Sequence, residues 1–397
     1  MWLEDIVGAE ALLELNRPTG EALGLPASAY SEAFYELENR HLLPRTWAVV
    51  AMGAEIPSPG DVLPVKLGEW PVLLVRDREG TIRAFLNICR HRGMRIVDEA
   101  VQGCTVLRCP WHNWTYGLDG RLLRRPKFTN RAKDECEDLE LEELGLKSIQ
   151  VGLWHDKIFV NIAGNAPPFE EHRKPLDALF ADYDLAGLRY GGHWEHFYDG
   201  NWKIAIEGGI ESYHVGYGHA QYMRDITDYH ERVVNHGHCY AMIDSRAVYG
   251  SGADPLIVLD NALPVVSKRE VEGEAKSYIG SLFPTGFIQT LPHHVVFGLM
   301  VPDAWDRTRI VLYFYYLAES ATDPAMAEER AKIEPAWKLV FTQDDPFVRN
   351  VHANLNVRDQ AGIRPRFSPY WEGAVHHFQK MVVETIQHEQ SLAHQGS

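Results

Sequence analysis

The sequence predicts an α+β protein of two domains: an all-β domain first, then one in which a curved antiparallel sheet carries helices on one side. Three observations carry that prediction. At 397 residues the chain is more than twice the roughly 150 residues of a typical domain. Apolar residues recur with a period near two from position 47 to 162, and helical periods join strand-like ones beyond the breaker Gly164-Asn165-Ala166-Pro167-Pro168. Within the first of these stretches, Cys89-Arg90-His91-Arg92-Gly93 and Cys109-Pro110-Trp111-His112 hold two thiols and two imidazoles on loops framed by short strands.

Residues 1–44 read as helical, with Leu12, Leu13 and Leu15 before Asn16-Arg17-Pro18, then an Ala/Glu/Leu-rich run over 31–38, stopped by Pro44. Strands follow at 47–51, 72–75 and 82–85, parted by Pro57-Ser58-Pro59-Gly60-Asp61 and Asp77-Arg78-Glu79-Gly80. An Asp119-Gly120 turn closes the second Cys/His loop. A charged, helix-favouring segment over 133–143 leads to strands at 151–154 and 158–162, so the all-β domain is set at 45–165 and the second domain at 166–397. In the latter, helices are expected over 202–215, 324–349 and 371–389, and strands over 278–289, 294–302 and 308–317.

Hydrophobic residues make up 45% and charged residues 24%, which is ordinary for a soluble globular protein. No run approaches the roughly twenty apolar residues that a bilayer requires. The start, Met1-Trp2-Leu3-Glu4-Asp5, is acidic where a signal peptide is basic, so a cytoplasmic location is expected. A net charge of -16 disfavours nucleic acid and anionic membrane as partners. Of five cysteines, Cys104, Cys136 and Cys239 fall outside the quartet and read as free thiols.

Two chemistries suit the quartet: zinc, or an iron–sulfur cluster of mixed ligation. A zinc finger normally pairs Cys with Cys and His with His. Here each short motif couples one Cys with one His, as a 2Fe-2S cluster requires when two Cys hold one iron and two His the other. Cys89, His91, Cys109 and His112, with Arg92-Gly93 and Pro110-Trp111 beside them, resemble the Rieske proteins.

A second constellation lies at Glu211-Ser212-Tyr213-His214-Val215-Gly216-Tyr217-Gly218-His219. His214 and His219 are too far apart for adjacent faces of one regular helix, so the helix is expected to loosen near Gly216 or Gly218. Two imidazoles and a distant carboxylate would form the facial triad that leaves positions open on a mononuclear iron. With 19 histidines in the chain, such a pair alone is weak evidence.

Asn201-Trp202-Lys203, then Glu207, Glu211, Tyr213-His214 and His219, resemble the iron-site motif of Rieske non-heme iron oxygenase large (alpha) subunits. That resemblance implies a helix-grip-like catalytic domain holding mononuclear Fe(II), with the 1–44 segment packed on it. It implies Asp344 of Gln343-Asp344-Asp345 as third ligand, in register with His352 and Leu355; Asp345 stays open, the other Asp being a helix cap before Pro346. It implies Glu211 as a relay from His112 of one chain to His214 of a neighbour, against the plainer role of orienting His214. Electrons would come from NAD(P)H through a separate reductase or ferredoxin, since no Gly-x-Gly-x-x-Gly loop is present, and three chains would close a ring.

One departure is Glu207-Gly208-Gly209, where the family often has Asn after the Glu, a change that frees volume near the iron. Cys109-Pro110-Trp111-His112-Asn113-Trp114-Thr115-Tyr116 and Glu211 look like the carnitine, choline and glycine-betaine branch. The reading therefore leans slightly to a methylated amine over an aromatic ring as substrate. Tyr213, Tyr217, Tyr222, Phe283, Phe287 and Phe297 are cage candidates that equally suit a core. An electron carrier without the mononuclear iron, and a zinc-stabilised interaction module, are the readings from other classes.

Overall fold

The computed structural model describes residues 2–129, 141–211, 213–219, 233–235, 241–245, 262–266 and 277–395. They divide into two compact units, one of Pro44–Phe169 and one of Met1–Leu43 with Glu170–Ser397.

In the first unit, a six-stranded antiparallel sheet runs in the order Ala48–Met52, Lys157–Asn161, Ser148–Trp154, Ile82–Leu86, Trp70–Arg76, Val62–Leu67. Its inner strands are apolar and β-branched; Val72, Leu73, Leu74 and Val75 are all fully buried. A smaller three-stranded sheet, Leu107–Arg108, Thr115–Tyr116 and Leu122–Arg124, carries the second Cys/His loop. Leu73, Phe85, Leu107, Trp114 and Tyr116 form a core that also encloses Cys89 and Cys109.

The second unit is built on a seven-stranded antiparallel sheet in the order Leu188–Tyr198, Arg307–Leu317, Val295–Ala304, Gly286–Thr290, Ser277–Leu282, Ala241–Ser245, Val233–Asn235. Val295 through Pro302 are buried without interruption, so this strand is covered on both faces. Among the described residues its α-helices are Phe169–Leu179, Trp202–Gly209, Val215–Gly218, Ala327–Gln360 and Gly373–Gln395, joined by the N-terminal Leu3–Val7, Ala9–Leu15 and Glu32–His41. Ser31 caps the last of these, its hydroxyl accepting from the Phe34 N–H. The N-terminal segment is anchored by amides of the last helix: Gln390 Oε1 accepts from Leu3 N at 3.0 Å and Gln379 Oε1 from Leu25 N at 2.9 Å.

Several elements differ from expectation. The 202–215 helix is two helices, broken from Ile210 to His214 after the paired glycines 208 and 209, which are poor helix formers. The break therefore precedes His214 rather than falling at Gly216 or Gly218. The 278–289 strand is two strands parted by Phe283-Pro284-Thr285, because Pro284 has no N–H for the ladder. No helix starts at Pro346; Ala327–Gln360 runs through both Pro335 and Pro346, so neither Asp344 nor Asp345 is a cap. The strands Leu188–Tyr198, Val233–Asn235 and Ala241–Ser245 and the helix Phe169–Leu179 were not anticipated. The expected helix at 133–143 lies largely outside the described residues, as do Cys136, Cys239 and Tyr222; within it only Leu141–Leu144 is described, as a 3-10 turn.

Candidate metal centres and the cavity beside them

The two Cys/His loops are closed alike. Cys89 N donates to Met94 O at 2.8 Å and Gly93 N to Cys89 O at 3.0 Å; Cys109 N donates to Trp114 O at 2.8 Å and Asn113 N to Cys109 O at 3.0 Å. Each return needs a left-handed residue, supplied by Gly93 at φ 77° and Asn113 at φ 58°. The first loop sets its histidine two residues after the cysteine and the second sets it three after. Both imidazoles nevertheless meet edge to face, with ring centres 4.5 Å apart.

Cys89 and Cys109 are 2% exposed, and burial pushes the Cys109 thiol up from its ordinary value. His91 is stacked on Trp114 with centres 5.0 Å apart, and its Nδ1 is buried without a hydrogen-bond partner. An orphaned imidazole nitrogen beside two buried thiols fits ligation of a 2Fe-2S cluster. The Tyr116 hydroxyl lies 3.2 Å from Cys89 Sγ and accepts from Arg90 N at 3.1 Å, a contact to the sulfur that tunes such clusters. Sequence reasoning passed over Tyr116. Trp111, beside His112, is half exposed under the Arg92 guanidinium, 4.4 Å from its ring centre.

In the second unit, Asn201 caps the Trp202–Gly209 helix by accepting from Lys203 N at 3.1 Å and ties it to Trp305 O at 2.7 Å. Trp202 Nε1 and Lys203 Nζ both donate to the carboxylate of Glu38, at 3.0 and 2.5 Å. The Asn-Trp-Lys motif is thus an anchor for the helix that leads to the histidines. Glu38 carried no signal of this role in its own helical context.

His214 and His219 flank the one-turn helix Val215–Gly218, which brings their ring centres to 5.2 Å. A side chain at Gly218 would press on His214 Cδ2 at 3.3 Å and Phe347 Cε2 at 3.1 Å. His214 Nδ1 is bonded to Glu211 Oε1, whose other oxygen accepts from the backbone N–H groups of Tyr213 and His214. His219 Nδ1 is bonded to Gln343 Oε1 at 2.8 Å. Both Nδ1 atoms therefore carry the proton, and both Nε2 lone pairs are free for a metal.

Those Nε2 atoms lie 3.7 and 3.2 Å from Asp344 Oδ1, and one ligand atom from each of the three residues falls within 4.8 Å of the others. Asp344 Oδ1 is buried and accepts no hydrogen bond. Two imidazoles and a carboxylate converging on one point fit a mononuclear iron with open positions. Asp345 points elsewhere, its Oδ2 3.7 Å from His196 Nε2 on the unanticipated strand. His352 packs against Trp305 with ring centres 5.4 Å apart.

Beside the triad is a cavity of about 250 Å3, lined by Glu207, Glu211, Asp344 and Glu372, by Gly208 and Gly209, and by apolar side chains including Ile204, Met300 and Phe341. Burial pushes the Glu207 carboxyl up to about 7, against hydrogen bonds from Gln379 and Tyr30. Glu372 is also raised, by burial and by the charge of Glu211, although it accepts from Ser368 N. The described cage candidates do not line it: Tyr213 and Tyr217 are exposed, and Phe283, Phe287 and Phe297 are buried elsewhere in the core.

A cluster-ligand unit followed by a sheet-and-helix unit with a two-His, one-carboxylate site defines a protein of two iron centres. The sequence matches the Rieske [2Fe-2S] domain over residues 46–144 and the ring hydroxylating alpha subunit (catalytic domain) over 185–388, just over half of the chain. The chain belongs to the ring-hydroxylating alpha subunit family. It is 34% identical over 230 residues to the glycine betaine monooxygenase oxygenase subunit of Chromohalobacter salexigens, covering 57% of this chain and 50% of that one. It is also 34% identical over 206 residues to the large oxygenase component of a Ralstonia salicylate 5-hydroxylase, covering 49% and 48%. The chain thus spans about half the length of the curated relatives it matches. Its fold is that of a quaternary ammonium Rieske monooxygenase in complex with L-carnitine, with a TM-score of 0.75 at 19% identity over 94% of this chain and 98% of that one. It is likewise that of the Rhodococcus naphthalene 1,2-dioxygenase, with a TM-score of 0.74 at 19% identity over 92% and 94%. Among the described residues no helix is long and apolar enough to cross a membrane.

Proposed function

We propose that this chain is a terminal oxygenase component that uses O2, with electrons from NAD(P)H delivered by a separate reductase or ferredoxin, to remove a methyl group from a quaternary or methylated amine. The observation that carries this reading is the convergence of His214 Nε2, His219 Nε2 and Asp344 Oδ1 beside an acid-lined cavity. The relatives named as glycine betaine monooxygenases support the substrate class.

Cys89 and Cys109 would hold one iron of the cluster and His91 and His112 the other, while His214, His219 and Asp344 would hold the single iron. That iron supplies open positions at which dioxygen is activated once electrons arrive. Glu211 and Gln343 fix the ring planes and tautomers of the two histidines, so that both lone pairs face the metal before it binds. Apolar lining keeps water from the reacting methyl group. The balance is one O2, two electrons and two protons per methyl: one oxygen becomes the hydroxyl of a hydroxymethyl-ammonium, the other leaves as water. The hydroxymethyl group then departs as formaldehyde and a proton, leaving the tertiary amine.

Glu211, bonded to His214 Nδ1, would link that histidine to His112 of a neighbouring chain for electron transfer, which would require a closed ring, here a homotrimer, working in the cytoplasm. The division into 1–44, 45–165 and 166–397 belongs to the same proposal. The test is oxygen uptake with formaldehyde detection, using a surrogate reductase and a panel of methylated ammonium compounds beside aromatic acids. Formaldehyde in step with oxygen from an ammonium compound is expected. Coupled uptake only with an aromatic, giving a diol or phenol, would overturn the amine reading in favour of ring hydroxylation.

A further inference from the structure

We infer that Glu207 and Glu372 are the residues that select a positively charged substrate, bracketing its methylated ammonium group with carboxylates rather than caging it with aromatic rings. The inference rests on the amine-oxygenase reading above and names the side chains that would enforce it. A quaternary ammonium group has no N–H to donate, so a protein recognises it through π-faces or through negative charge. Among the described residues three aromatic side chains line the cavity, Tyr198, Phe341 and Phe347, and Tyr198 is fixed by its hydroxyl bond to Phe341 O at 2.6 Å.

Negative charge is amply provided. Among the described residues four carboxylates line the cavity, of which Asp344 and Glu211 serve the metal site, leaving Glu207 and Glu372 without a role in ligation. Tyr30 and Gln379 both donate to Glu207 Oε1, each at 3.0 Å, and Oε2 accepts from neither. Glu372 uses Oε2 for Ser368 N at 2.6 Å. Each acid is thus held in place by one oxygen and keeps the other. Beside Glu207, a Cβ at Gly208 would meet nothing within 4 Å, and one at Gly209 would meet Met300 Cε at 3.0 Å. The space that an Asn side chain would fill is open to a small trimethylated head.

The cavity's independent link to a ligand is the triad beside it, where the buried Asp344 Oδ1, which accepts no hydrogen bond, marks the reacting end. Burial, and for Glu372 also the charge of Glu211, raises both acids, and a cation held between them would favour their charged forms.

The experiment is calorimetric binding of choline and of its uncharged carbon isostere, 3,3-dimethylbutan-1-ol, to the purified iron-loaded protein and to Glu372→Gln and Glu207→Gln. Circular dichroism confirms that each variant is folded. Wild type is expected to bind choline at least about tenfold more tightly than the alcohol, and each variant to lose about tenfold for choline while holding the alcohol within about twofold. A structural role would weaken both ligands together. A choline-to-alcohol ratio unchanged in Glu372→Gln overturns the inference while the amine reading stands, even where Glu207→Gln fails to fold. Wild type that binds aromatic acids but neither of these probes overturns both.

Discussion

Replacing Lys203 by methionine should unlock the helix that carries the cavity floor. Lys203 and Glu38 are both 0% exposed, with Nζ 2.5 Å from Oε1. Burial lowers Lys203 and raises Glu38 from their ordinary values, each opposed by the other's charge. In Lys203→Met the carboxylate, at 0% exposure, keeps one strong donor, Trp202 Nε1 at 3.0 Å. Breaking a buried pair from one side costs about 3–5 kcal/mol, since it strands the remaining charge. For a unit of this size that is roughly 6–20 °C in melting temperature. Differential scanning calorimetry of the full chain reads it in the transition of the unit that carries the pair. The double variant Lys203→Met with Glu38→Leu should recover at least half of the loss, because two apolar groups need no partner. A single variant melting within about 2 °C of wild type, or a double variant no better than the single, would refute the reasoning.

Three other outcomes follow from the same geometry. Asp344→Ala should lower iron from about three to about two atoms per chain while the visible spectrum of the cluster persists, and Asp345→Ala should keep all three, as metal analysis would report. Glu211→Gln should retain both metals yet slow substrate-coupled reoxidation of the cluster by more than about tenfold in a single-turnover experiment; full-rate reoxidation would leave Glu211 a plain orienting residue. His294 is fully buried and accepts from Trp337 Nε1 at 2.8 Å, and burial lowers it to about 3. Its folded value lies below its unfolded one, so the unfolded chain binds more protons between the two and stability falls as pH drops through that window. The loss should reach about 3 kcal/mol by pH 4. His294→Gln should flatten that acid limb in pH-dependent urea titrations.

The proposed cluster ligands stood out in the sequence because everything that orients them is local. Each cysteine is closed onto a residue five positions later, and each histidine falls inside that loop. The strand Leu188–Tyr198 was not readable for the opposite reason. It is an edge strand whose exposed positions include Arg189, His193 and Glu195, and only pairing with Arg307–Leu317 makes it a strand. Gln343 appeared in the sequence only as the residue before an Asp pair. Its bond to His219 spans 124 positions, and no spacing rule reaches that far.

The register with His352 and Leu355 favoured Asp344, but Pro346 read as a helix start that would make the other Asp a cap, and there local chemistry misled. A proline removes one helical hydrogen bond and reads as a start or a stop. Yet Ile333, Trp337, Phe341, Val348 and Leu355 are all buried, at spacings of four, four, seven and seven, and they form one apolar stripe across the proline. Burying that stripe outweighs the single lost bond, so the helix continues. Once Pro346 is inside the helix, the register separates the two acids. Phe341, Asp344, Val348 and Val351 recur at three and four residues and all line the cavity. Asp345 is turned a further 100° or so about the axis, toward His196. The stripe on both sides of Pro346 was therefore the signal that distinguished the two carboxylates, and it outranked the proline.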